Sequence, residues 1–272
     1  MNPAFEILPE SLIATETDLF CEVSSSSFNY FFVNTAERKI TGLSVFYYET
    51  NDPIEIADAV KQIFREQRVL EKKFRKIYIS WSSEESALLT EELYRKGNHE
   101  TALHLLYGDI SNETVLTDLV ADKNIYNIYF IPAVIHNVIT AQFPMAIITH
   151  QYSLLLKQID ERSSMLQVIF YPDKIIATLI VEGKLLLMQT YHYRSAADII
   201  YHLLNIYKQF DVNPALQVQG MIEENTELHK KLKQYFPDIV FYKAQSEYVI
   251  AADIEKIPAH YFSHLFSNYL CV

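Results

Sequence analysis

The sequence predicts a duplicated α/β fold of two lobes, each a mixed five-stranded sheet flanked by helices. Three observations carry the prediction. Leu166–Phe236 reads strand, strand, strand, helix, strand, helix. Leu19–Trp81 runs strand, strand, strand, helix, strand, with similar lengths and little shared sequence. Such a repeat of element order changes a fold assignment more than any single motif does. Half of the 272 residues are apolar, enough to bury a sizeable core in one large domain or two small ones.

Residues 1–17 are polar and mixed, and Pro3 and Pro9 disfavour regular structure there. Leu19–Val23, Phe28–Val33 and Ile40–Tyr48 are apolar runs expected as strands, separated by the turns Ser24–Ser27 and Asn34–Lys39. Pro53 suits the first turn of a helix, where its missing N–H has no partner to lose. Ile56, Val60, Ile63, Phe64 and Leu70 form that helix's apolar face, and Ile77–Trp81 is the next strand. Between the copies, residues 82–163 hold short apolar segments at Ala87–Leu89 and Ala102–Leu106, then a strand (Ile125–Ile131) and a helix (Pro132–Phe143). A strand (Met145–Thr149) and a helix (Ser153–Ile159) complete this part.

The joint is expected near Asp160–Ser164. That gives lobes of 1–162, with an inserted segment of about 82–150, and 163–272. In the second lobe Leu166–Tyr171, Lys174–Val181 and Leu185–Tyr191 are strands. Glu182-Gly183-Lys184 turns the second into the third, because glycine supplies the positive φ of a tight hairpin loop. Ser195 caps a helix with Asp198 in its first turn, and Ile199, Leu203, Ile206 and Phe210 recur at helical spacing. Leu216–Gln219 is a strand, Gly220 a break, Asn225–Tyr235 a helix and Val240–Lys243 a last strand. Pro258–Leu270 reads as a closing amphipathic helix, and by analogy with similar folds it is expected to pack back on the first lobe. Tyr261, Phe262, Leu265, Phe266 and Tyr269 form its apolar side. Two duplicated lobes of this kind are expected to enclose a cleft.

The net charge is −11 and the pI about 5.3, against gripping nucleic acid or an anionic membrane. Lys72, Lys73, Arg75 and Lys76 cluster, and a solvated helix end accounts for them. Cys21 and Cys271 lie at opposite ends, so neither a disulfide framework nor CxxC chemistry is expected. There is no signal-peptide pattern, and no apolar run reaches the roughly 18 residues of a membrane span. The expectation is a cytoplasmic protein.

Leu19–Ser27 (LFCEVSSSS) resembles the first phosphate motif of the actin/hexokinase/Hsp70 ATPase superfamily, nearest its pilus-assembly and cell-division branch. Val181–Leu185 resembles that branch's second hairpin turn, and Gln217–Met221 (QVQGM) the strand that ends beside the adenosine. The resemblance implies the RNase H-like, actin-like ATPase fold. It also implies degenerate nucleotide-motif positions at Glu22, Ser24, Ser25 and Gly220. Working members carry Asp then Gly in each phosphate motif, for Mg²⁺ or water and for close approach of the backbone. Here those positions read Glu22 and Ser24 in the first copy. In the second, counting back from Gly183, they read Ile169 and Tyr171. Isoleucine offers no oxygen to a metal, and a tyrosine side chain fills phosphate space. One glycine of the usual pair survives, as Gly220.

Other constellations are weaker. His260 and His264 are spaced i, i+4, with Asp253 upstream. A half-buried histidine pair is favoured over a metal site. Tyr191, His192 and Tyr193 read as a strand end with polar tips. The expected function is therefore a non-catalytic scaffold bound to an unidentified protein partner. No catalytic residue, metal or cofactor is assigned, and the chain is expected as monomer or homodimer. The alternative is a nucleotide-binding protein, weak ATPase or kinase that uses Glu22 and retains ATP with Mg²⁺ in the cleft between the lobes. A third reading, an RNase H-like nuclease, lacks the carboxylate cluster that two metals need.

Overall fold

The computed structural model describes residues 1–95, 99–108, 112–160, 162–242 and 248–271. It forms two compact units: Met1–Lys157 with Glu247–Lys256, and Gln158–Ser246 with Ile257–Val272. The first unit opens with β1 (Phe5–Ile7), β2 (Thr17–Ser24), β3 (Ser27–Asn34), β4 (Lys39–Tyr47), α1 (Pro53–Glu66) and β5 (Lys76–Ser82). Then come β6 (Ser86–Thr90), α2 (Glu91–Arg95), α3 (His99–Tyr107), β7 (Glu113–Val120), β8 (Ile125–Pro132), α4 (Ala133–Gln142), β9 (Ile147–His150) and α5 (Gln151–Lys157). The second unit holds β10 (Met165–Phe170), β11 (Lys174–Val181), β12 (Lys184–His192), α6 (Ala196–Phe210), β13 (Ala215–Gly220), α7 (Glu227–Tyr235) and β14 (Val240–Phe241). The chain then contributes β15 (Val249–Ile250) to the first unit and ends with α8 (Ser263–Phe266) in the second.

The first unit's large sheet runs β1-β4-β3-β2-β5-β9, with β15 also on β4. β2, β3 and β4 are antiparallel, whereas β5 and β9 run parallel to β2 and β5. Leu19, Cys21 and Val23 alternate onto the face that packs against Ile56, Val60 and Ile63 of α1 and Ile135 and Ile139 of α4. On the opposite face Phe20 stacks between Phe31 and Tyr78, at ring centroid distances of 4.8 and 4.7 Å. Both faces are buried, so these strands appear in sequence as near-continuous apolar runs. α1 begins where expected: Asp52 accepts from the Ile54 and Glu55 N–H groups, and Pro53 opens the first turn.

β6, β8 and β7 form a separate three-stranded sheet between β5 and α4 in the chain, with Leu103 of α3 buried against Ile128 and Phe130. Of the two short apolar segments seen in the sequence here, one is β6 and the other lies within α3. Unforeseen are β7, α2, β15 and β1, the last inside the stretch expected to be irregular. Phe5–Ile7 is extended because β4 gives it a partner, a tertiary cause that local propensity does not carry.

The second unit's sheet runs β12-β11-β10-β13-β14, the order of β4-β3-β2-β5-β9. Glu182 and Gly183 both have positive φ (49° and 71°), as the two-residue hairpin between β11 and β12 demands. Ser195 and Asp198 form a full capping box on α6. Ile199, Leu203 and Ile206 then bury against Leu166, Val168 and Val218.

The continuous helix expected over Pro258–Leu270 is not formed. Only α8 is α-helical, followed by a 3-10 turn at Ser267–Cys271. The His260 carbonyl, which would accept the i+4 amide of such a helix, instead accepts from the Gly220 N–H (2.8 Å) and the Ser263 hydroxyl (3.0 Å). Lys243 of the expected last strand and Glu161 of the expected joint lie outside the described residues. Among the described residues no helix is long and apolar enough to cross a membrane.

Candidate functional site

The β2–β3 turn gathers Glu22, Ser24 and Ser25. Glu22 is 2 % exposed, and its Oε1 accepts from Asn29 Nδ2 at 3.1 Å. Register explains the pair: Glu22 lies opposite Asn29 on β3 and beside Ser80 on β5. Ser24 Oγ accepts from the Ser26 and Ser27 N–H groups at 3.1 and 2.9 Å. The Ser24 hydroxyl therefore takes up two amides of this turn. Ser25 is exposed.

The hairpin registers fix the correspondence between the copies. Val23 pairs with Phe28 just before the first turn, and Phe170 with Ile175 just before the second. Ile169 thus stands where Glu22 does, and Tyr171 where Ser24 does. Tyr171 is buried; its ring meets His264 edge-on at 5.1 Å, and its carbonyl accepts from Tyr193 Oη at 2.6 Å.

Gly220 ends β13 with φ +85°. A Cβ there would lie 2.3 Å from the Phe170 carbonyl oxygen, so β10 and β13 approach as only glycine permits. The space beyond this strand end is occupied by the closing segment. His260 takes the Gly220 N–H through its carbonyl and bonds the Ile222 carbonyl through Nε2 at 2.6 Å. Ser263 donates to Gln219 Oε1 at 2.8 Å.

The two closing histidines do not act as a pair. His260 is engaged with Ile222, while His264 is fully buried and its pKa is pushed down to about 3 by that burial. Asp253 is an exposed partner of Lys256 (2.6 Å). Among the described residues no group of three or more His, Cys, Asp or Glu is arranged to hold a metal ion. Arg75 of the basic cluster forms an ion pair with buried Asp18, its Nε donating at 2.8 Å. Tyr191 stacks on His202 at 4.6 Å.

A Ser–His–Asp arrangement that the sequence did not reveal sits at the ends of β5 and β9. His150 Nε2 lies 3.1 Å from both Ser83 Oγ and the Ser83 carbonyl, and Asp118 accepts from the His150 N–H at 2.7 Å. His150 Nδ1 accepts from the Tyr152 N–H at 3.0 Å, so the ring proton resides on Nε2. In that tautomer His150 donates toward Ser83 and cannot take its proton, and Asp118 contacts backbone rather than the ring. The cluster is a tie between strands, not a nucleophile with its base. Sequence spacing could not find it, because the register of β5 with β9 brings Ser83 to His150, while Asp118 comes from β7 of the other sheet.

A protein from Bacteroides thetaiotaomicron VPI-5482, described as having an actin-like ATPase fold and unknown function, is similar with TM-score 0.76 and 20 % identity, over 94 % of this chain and 96 % of that one. The PilM–PilN type IV pilus biogenesis complex is similar with TM-score 0.56 and 9 % identity, over 93 % and 97 %. The ethanolamine utilization protein EutJ from Carboxydothermus hydrogenoformans gives 0.53 and 7 %, over 94 % and 90 %. No curated protein matches the chain. The chain has the actin-like ATPase fold, as the duplicated element order implied. The family model "Protein of unknown function (DUF3822)" matches residues 10–239, and the chain belongs to that family.

Proposed function

We propose that this protein is a non-catalytic scaffold of the cytoplasm, an actin-like ATPase fold that binds a protein partner and no longer turns over nucleotide. One observation carries the reading: the chain itself fills its nucleotide-motif positions. Ser24 Oγ takes the first turn's amides, Tyr171 occupies the second turn, and His260 takes the Gly220 N–H. A fold stripped of phosphate-binding groups retains its surfaces, and the PilM–PilN complex is an example of this fold joined to a partner protein.

Calorimetric titration of the full chain with ATP and ADP, with and without Mg²⁺, tests the reading. The expected result is no saturable heat at millimolar nucleotide. ATP hydrolysis above background that disappears in Glu22→Gln would overturn it. The second reading, ATP with Mg²⁺ held near Glu22, draws on Asn29, whose buried Oδ1 has no hydrogen-bond partner beside the Glu22 carboxylate. Saturable, Mg²⁺-dependent heat lost in Asn29→Ala would favour it.

A further inference from the structure

α4 is apolar on nearly every side: six of its ten residues are Ala, Val or Ile. A helix of that kind belongs in an interior, yet only Ile135 and Ile139 of α4 are buried, in the core it shares with α1. Its outer side, with Val134 and Val138 half-buried and Ala141 exposed, forms one wall of an open groove of about 570 Å³. The last turns of α1 form the other wall through Lys61 and Arg65. Phe64 lies between them, 6 % exposed, its ring edge-on to Phe143 at 5.4 Å. The Gln142 amide donates to the Leu70 carbonyl at 3.4 Å and ties α4 to the turn after α1. From Val134 to Gln142 the wall is about 12 Å long, a little over two helical turns.

This groove is bordered by cations in an acidic chain. Residues 61–76 carry seven Lys or Arg against Glu66 and Glu71, where the whole chain has a net charge of −11. Arg75 is held by Asp18, Lys61 by Asp58, and Glu66 by the chain's own amino terminus. Arg65, Arg68, Lys72 and Lys73 form no ion pair among the described residues. Glu71 also lines the groove, so Lys61 and Arg65 stand there against one acid. A solvated helix end accounts for the charges but not for the apolar wall beside them.

We propose that the groove between α1 and α4 receives one amphipathic helix of a partner protein. Its apolar ridge lies on Phe64, Val134 and Val138, and its acidic side chains lie beside Arg65 and Lys61. Charge selects an acidic occupant. The walls select a helix: both are helices with their backbone groups bonded internally, so they offer an extended peptide no N–H or C=O, whereas a helix arrives with its own satisfied. Val134, Val138 and Ala141 are spaced i, i+4 and i+7, the spacing of the ridge they would meet. The inference rests on the scaffold reading for the occupant's being a protein.

Fluorescence anisotropy on the full chain tests it. The probes are helical peptides selected from a displayed library with Leu, Ile or Phe at i, i+3, i+4 and i+7 and Glu or Asp beside them. Micromolar binders are expected, weakened about tenfold or more by Arg65→Glu and by Ala141→Arg, which fills the groove from an exposed position. Affinity should fall as salt rises, and Leu105→Glu, at an 82 % exposed position of α3, should change nothing. Carbodiimide coupling on the wild type should join a peptide carboxylate to Lys61, and it decides the matter should a variant fail to fold. A library that yields no binder overturns the proposal. So do peptides that bind equally with Lys in place of their acids, or an affinity unchanged by Ala141→Arg. Coupling confined to lysines outside the groove also overturns it, as does binding of phosphatidylglycerol vesicles, lost in the same variants, in place of any peptide. The two readings fail separately: saturable ATP heat would count against the scaffold, and an empty library against the groove.

Discussion

Gly220 was legible as a break in a strand, but its reason was not. The residue stands where β13 meets β10, at φ +85°, with the Phe170 carbonyl in the place a side chain would need. Gly220→Ala is expected to cost about 3 kcal/mol, from left-handed strain and from parting the two strands. Urea unfolding monitored by tryptophan-independent circular dichroism reads it, and an unchanged midpoint would mean that the two backbones have room to separate. Glu22 and Ser24 were likewise found as positions, while their hydrogen bonds to Asn29 and to the turn amides appear only once β2 and β3 are set in register. Sequence names the residue; register supplies its partner.

Elements with strong apolar periodicity were read nearly as they form. α1, α6 and the paired meanders carry both the pattern and the caps that place their ends. The elements missed are those stabilised from outside themselves, such as β1 and β15, which are extended because β4 offers them an edge. The closing segment fails in the opposite sense: its helical pattern is real, yet β13 claims the His260 carbonyl. Its seat requires an uncharged His264, which has a folded pKa of about 3 where the free group titrates near 6.5. As pH falls below about 6.5 the unfolded chain gains a proton that the folded chain refuses. Stability is therefore full above that pH and falls, by up to about 1.4 kcal/mol per pH unit for one proton, until about 3. His264→Phe keeps a ring against Tyr171 and should flatten this acid limb in unfolding measured across that range. A slope identical to the wild type would assign the acid sensitivity to other groups.

At the scale of the whole molecule, the duplication was the most legible feature and the crossing of the chain between units the least. Two apolar residues, Val249 and Ile250, join a sheet whose other strands come from the first 150 residues. The Val249 N–H donates to the Arg38 carbonyl at 3.0 Å, and the Ala251 N–H to the Ile40 carbonyl at 2.9 Å. Val249→Pro removes the first of these bonds and is expected to destabilise the first unit by about 2 kcal/mol. Hydrogen exchange should register it as faster exchange in β4, with β10–β13 unaffected; equal loss in both units would mean that they unfold as one.

That crossing also orders events on the ribosome. The strand that completes the Lys39–Ile40 edge of β4 is synthesised long after β4 itself. The first unit must therefore wait, with one open border, until Val249 and Ile250 have been made.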